Sequence, residues 1–153
     1  MTVPFRETLA MRLRGAYLRM HKAANATFAE HGATADQFVL LSLLAEEDGL
    51  SQRELAARNH TDANTVAAMV ALLERRGLVR RKAGADDARV KCVSLTAAGR
   101  KLQSNLVKHS IVYHESFERL VPAELWAQFS ECLERIAAIQ VSEIQHPFPG
   151  ESK

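Results

Sequence analysis

Leu50–Gly99 reads LSQRELAARNHTDANTVAAMVALLERRGLVRRKAGADDARVKCVSLTAAG. Ser51 stands before a short helical run ending near Asn59, and Glu54 follows it by three residues, the spacing of a reciprocal helix-start cap. After a break at His60–Thr61, a second helix runs from about Asp62 to Arg76 and stops at Gly77, where a left-handed residue is expected. LVRRK (78–82) and VKCVSL (90–95) then alternate as strands do, joined by AGADDAR. Two short helices across a tight turn, followed by a hairpin, make a winged helix-turn-helix. The second helix of such a unit fits a major groove, and the hairpin can reach the adjacent backbone or minor groove.

Working outward, apolar residues recur at helical spacing at Phe5, Leu9, Leu13, Ala16, Met20, Ala23 and Thr27, predicting a helix from Phe5 to about His31. Gly32 sits where such a helix ends, and Thr34 caps a second helix running through FVLLSLLA to Ala45. Thr96 caps a long helix to about Leu120, and Pro122 opens a last one to about His146. The expected fold is mainly α (α+β): one domain over 1–153, with a winged helix-turn-helix core at 34–100. Helical segments at 1–33 and 101–146 flank that core, and the breaker-rich tail 147–153 is expected to fray.

Hydrophobic residues are 47% of the chain and charged residues 25%, ordinary for a globular protein. No run is apolar enough to span a bilayer and the first residues carry no secretory h-region, so the expected location is the cytoplasm, with no membrane partner. Cys92 and Cys132 lie far apart without metal-type spacing, which fits a reducing compartment. The net charge of +2 is unevenly distributed. Between Arg75 and Lys101 stand nine basic residues against Asp86 and Asp87, a local +7 that leaves the remainder at −5. A basic block in an otherwise acidic chain points to a polyanion.

The second helix carries the chemistry for one. At 100° steps Val66, Met69, Val70 and Leu73 share one face. The opposite face holds Asn64, Ala68, Ala71 and Arg75, flanked by Thr61, Thr65 and Ala67. Small residues there let a helix backbone lie deep in a groove. Asn64 suits adenine N6 and N7, while Thr65 and Ala68 suit thymine methyls. Ser51, Gln52, Arg53, Thr61 and Arg75 suit phosphates, which position a protein without reading sequence. Arg89 at the hairpin tip is placed for a minor groove, with Asp87 close enough to orient its guanidinium.

These residues resemble the MarR family of bacterial transcriptional regulators. The likeness lies in the ELA of the first short helix, the LERRGLVRR junction, and Asp87-x-Arg89 followed by Leu95, Thr96 and Gly99. Ala88 stands where many members carry a second basic residue. The resemblance implies a homodimer, interlocked through its terminal helices, that sets two winged helices on a pseudo-palindromic double-stranded operator, commonly as a repressor. Leu102, Leu106, Tyr113, Phe117 and Leu120 in the fifth helix supply apolar surface for that pairing. Leu125, Trp126, Phe129, Leu133, Ile136 and Ile139 supply more in the sixth.

The resemblance also implies a small aromatic or anionic effector between the dimerisation helices and the winged helix. Arg14 and His21 would hold its acidic group beside Asn25, Tyr17 and Phe28 would form aromatic walls, and His109 and Tyr113 would face them. Other classes have less support. No catalytic motif is present, so an enzyme is not expected, nor is a cofactor. His109 and His114 lie about 140° apart on a helix and do not converge on an ion. A regulator of the same fold sensing metal through histidines, or oxidants through Cys92 and Cys132, is the alternative.

Overall fold

A computed structural model describes residues 3–84 and 90–139. It divides into two compact units, Met1–Tyr113 and His114–Lys153. In the first unit, helix α1 (Leu9–Ala29) is followed by α2 (Ala35–Glu46), strand β1 (Leu50–Ser51), α3 (Gln52–Arg58) and α4 (Ala63–Arg75). Strands β2 (Val79–Ala83) and β3 (Lys91–Leu95) come next, then α5 (Ala97–Glu118), whose last turn belongs to the second unit with α6 (Trp126–Ala138). The expected mainly helical winged helix-turn-helix is what the chain forms.

The caps explain most boundaries. The Thr34 hydroxyl accepts from the Gln37 backbone N–H at 3.2 Å, and the Gln37 side chain accepts from the Thr34 N–H at 3.3 Å. Ser51 and Glu54 repeat that reciprocal pair at α3, at 3.2 and 2.8 Å. Asp62 caps α4. Gly32 and Gly77, at φ 77° and 71°, supply the left-handed turns that end α1 and α4.

Three boundaries differ from the sequence reading. Phe5–Glu7 forms a separate 3-10 turn, because the Thr8 hydroxyl accepts from the Met11 N–H and starts α1 only at Leu9. The strand β1 has no alternating pattern of its own, yet it pairs antiparallel with β3, Leu50 opposite Val93 and Ser51 opposite Cys92. The sheet therefore has three strands in the order β1-β3-β2. The last helix is described as Trp126–Ala138, with β-branched Ile139 already extended; the rest of its expected span, 140–146, lies outside the described residues.

The core of the first unit draws on every layer: Phe28 from α1, Leu40, Leu41 and Leu44 from α2, and Leu55 from α3. Val66, Val70 and Leu73 of α4 join them, with Val79 and Val93 from the sheet and Leu106 from α5. Leu106 is wholly buried, so it is not available to a partner chain as the sequence reading expected. Its place on the core-facing side of α5 explains the difference, since Leu102 and Tyr113 pack against the same core.

The Leu95-Thr96-x-x-Gly99 pattern has a physical cause here. The Thr96 hydroxyl donates toward the Gly77 and Leu78 carbonyls, at 2.6 and 3.1 Å, and accepts from the Gly99 N–H. A Cβ on Gly99 would lie 2.0 Å from the Leu78 carbonyl oxygen. Only glycine lets α5 start against that carbonyl.

Candidate nucleic-acid interface

The α3–α4 turn is tight. The His60 and Thr61 N–H groups donate back to Ala57 and Ala56 carbonyls, and His60 takes φ 48°. Residues with φ > 0 outside glycine are uncommon and belong in such turns. Beyond the turn, α4 buries Val66, Val70 and Leu73, half-buries Met69, and leaves Asn64, Thr65, Ala68 and Arg75 exposed. Ala67 and Ala71 are half-buried. The outward face is therefore as small as the sequence indicated, with Arg75 at its far end. At α3, Gln52 is half-buried and Arg53 exposed, and Thr61 sits half-buried between the two helices.

Several side chains are more engaged than sequence alone showed. The Thr65 hydroxyl donates to Asp62 Oδ2 at 2.6 Å, so it offers its methyl and a lone pair rather than a free donor. Ser51 is held in its cap by Glu54, whose carboxyl lies below its usual range because the Ser51 hydroxyl-side and backbone contacts favour the charged form. That charge occupies the start of α3, beside the Ser51 that the sequence reading assigned to phosphate.

The basic block also divides in two. Arg81 donates to Glu74 through Nε and Nη2, and its backbone N–H donates to the same carboxylate. The pairing holds Glu74 below its usual value and raises Arg81. Arg76, though exposed, is tied to the fold, as its Nη1 donates to Gln37 Oε1 at 3.1 Å and its Nη2 to the Gly32 carbonyl at 2.6 Å. Arg75, Arg80, Lys82 and Lys91 are exposed and ion-pair with no described carboxylate. Arg100 pairs with Asp48 at 3.6 Å, so three of the nine basic residues, Arg76, Arg81 and Arg100, are engaged within the fold. Asp87 and Arg89, expected at the hairpin tip, lie outside the described residues.

The predicted effector residues separate similarly. The Asn25 Oδ1 accepts from the Ala35 N–H at 2.8 Å, which fixes the amide's orientation. Its Nδ2 must then donate to His21 Nδ1, leaving the ring proton on Nε2, which donates to Asp36 Oδ1 at 3.1 Å. Both nitrogens of His21 are engaged, and the Asp36 carboxylate stands where an anionic ligand would approach. Tyr17 packs on the His21 ring at 5.6 Å between centroids, and Arg14 is exposed. Tyr113 donates to the Met20 carbonyl at 2.7 Å; burial, then the neighbouring Tyr17, raises its pKa. His109 stacks on His31, centroids 3.7 Å apart. Phe28 is not a pocket wall: it is 1% exposed and packs on Phe38, because α1 turns that side toward the core.

Cys92 is half-buried in β3 and Cys132 exposed on α6. No helix among the described residues is long and apolar enough to cross a membrane.

Comparison with known proteins bears on this geometry. Residues 33–91 match the sequence profile of the MarR family. The chain is 34% identical over 85 residues to the HTH-type transcriptional regulator TtmR of Methylorubrum extorquens, covering 56% of this chain but only 44% of TtmR. It is 30% identical over 103 residues to the transcriptional regulator HosA of Escherichia coli O127:H6, covering 67% of this chain and 76% of HosA. A solved structure of the transcriptional repressor CouR bound to a 23-mer DNA duplex superposes with a TM-score of 0.77 at 27% identity, over 90% of this chain and 99% of CouR.

Proposed function

The chain belongs to the MarR family, and from that premise we propose that it is a sequence-specific, double-stranded-DNA-binding regulator of transcription. In this reading it represses as a homodimer on a pseudo-palindromic operator and is released by a small aromatic or anionic effector. The observation that carries the reading is the outward face of α4. Asn64, Thr65 and Ala68 are exposed there without a lysine or glutamate among them, and Arg75, Arg80, Lys82 and Lys91 lie exposed at its end and on the adjoining strands. A solvated helix face is ordinarily charged. A small, uncharged face bordered by exposed cations that form no ion pair among the described residues suits a groove between phosphates.

Dimer formation is supported by α6, which buries no residue within the chain. Trp126, Phe129, Leu133 and Ile136 recur at helical spacing on it and are each 38–43% exposed. Apolar stripes of this kind are ordinarily covered by a partner, and twofold self-pairing is the commonest way. Support for an effector comes from the aromatic side chains gathered here: Tyr17 packs on the hydrogen-bonded His21, and Tyr113 donates to the Met20 carbonyl of the same helix. Phenolic and aromatic ligands suit such walls.

The test is selection from a random duplex pool by the purified protein, with its mass in solution measured by light scattering. Enrichment of an inverted-repeat motif by a species of twice the monomer mass is expected. A monomer that enriches nothing would end the proposal. Replacing Asn64 with Ala should then reduce discrimination among operator variants more than binding to random duplex.

A further inference from the structure

The surface formed by α4 and its cap carries two acidic residues, Asp62 and Glu74. Glu74 is neutralised by Arg81. Asp62 is exposed and ion-pairs with no lysine, arginine or histidine among the described residues. It stands at the leading end of the helix on which the DNA-binding reading rests. A lone carboxylate in that position repels every phosphate that approaches it, so its presence needs an account.

The carboxylate is fixed in place. Its Oδ1 accepts from the Thr65 backbone N–H at 2.9 Å and its Oδ2 from the Thr65 hydroxyl at 2.6 Å. An ionised carboxylate has about four acceptor positions, and the two bonds from Thr65 leave this exposed group acceptor capacity to spare. Because the Thr65 N–H is already taken, the start of α4 offers a phosphate one free donor fewer. What remains is a rigid pair of acceptors beside Asn64.

Only two bases show a donor in the major groove, adenine through N6 and cytosine through N4. Beside its N6, adenine carries the N7 acceptor, which repels a carboxylate and suits an amide. Cytosine carries no acceptor on that edge. We propose that Asp62 reads a cytosine in the major groove, accepting a hydrogen bond from its N4 amino group, and bars backbone phosphate from the start of α4. The inference rests on the DNA-binding reading above and adds to it a position and a base.

Asp62→Asn separates this role from capping, because asparagine caps helices as well as aspartate does. Duplex selection with the wild-type chain should enrich a half-site containing one position held as cytosine. The variant should retain the rest of the motif and lose that preference. In titrations, exchanging that C·G pair for T·A should weaken wild-type binding about five- to a hundredfold and leave the variant nearly indifferent. Unmatched duplex should bind the variant more tightly than wild type. Identical motifs from the two proteins would reduce Asp62 to a cap and overturn the proposal. A wild-type chain that enriches no motif would remove the DNA-binding reading and this inference with it.

Discussion

Arg76 reaches from the end of α4 to Gln37, its Nη1 3.1 Å from the buried Gln37 Oε1, while its neighbour Arg75 points to solvent. Adjacent arginines thus have opposite duties. Arg76→Ala should lower stability by about 1–3 kcal/mol, since hydrogen bonds from charged donors to Gln37 and the Gly32 carbonyl are lost. Arg75→Ala should leave the melting temperature alone, weaken binding to all duplexes alike and flatten the salt dependence. Thermal melts beside anisotropy titrations check both, and exchanged phenotypes would show that the assignment is reversed.

Gly99→Ala should destabilise the chain by about 1–3 kcal/mol or more, as overpacking does. The added methyl meets the Leu78 carbonyl, which cannot retreat without giving up its bonds from Thr96. Gly15→Ala is the control: no atom lies within 4 Å of a Cβ there, and the exchange should be neutral or stabilising within a helix. Urea melts of the two variants should therefore move in opposite directions.

Arg89→Ala should weaken operator binding by about 1–3 kcal/mol while melting temperature and solution mass stay at wild-type values. Unchanged affinity in a gel shift would remove the hairpin tip from the interface.

Acid should loosen the helix-turn-helix through its caps. Glu54 and Glu74 lie below their usual value of 4.5 and Asp62 below 3.8, each because hydrogen bonds favour the ionised form. A folded-state pKa depressed below the unfolded one contributes stability that is present above the unfolded value and lost as pH falls through the folded one. Melting temperature should hold from neutrality down to about pH 5 and fall below it. Glu54→Gln and Glu74→Gln should each be less stable than wild type at neutral pH and converge on it at pH 3.

An effector that releases DNA must bind the free protein more tightly than the DNA-bound one. Thermal-shift screening of aromatic acids and phenols should give hits whose affinity falls when operator is added and when Tyr17 or His21 is changed to Ala. Because Asp36 holds His21, Asp36→Asn should strengthen the binding of anionic hits and leave neutral phenols unaffected. A hit indifferent to every one of these changes binds elsewhere.

What sequence made legible was local. The Ser51–Glu54 cap, the Gly32 and Gly77 stops and the two faces of α4 each depend on residues within a few positions of one another, and each appears where expected. What it hid was long-range. Nothing near Arg76 indicates a partner 39 residues earlier, or near Arg81 that Glu74 lies across from it, so both were counted as charge for DNA. The strand β1 was illegible because two residues have no period, and only β3 makes them a strand. Phe28 and His21 fall on one helix, and the packing of α2 decides that one is core and the other a surface bridge to Asp36.

The central position of β3 has a mechanical consequence. One edge of this strand bonds to β2, which leads to the hairpin tip, and the other to Leu50 and Ser51, which start α3. A tilt of the hairpin must therefore carry the foot of the helix pair with it, like two jaws cut from one casting. The sheet thus ties the hairpin to the start of α3 within each copy. In a dimer, the span left to adjust is the one between copies, so an operator would be released by changing how far apart two rigid readers stand.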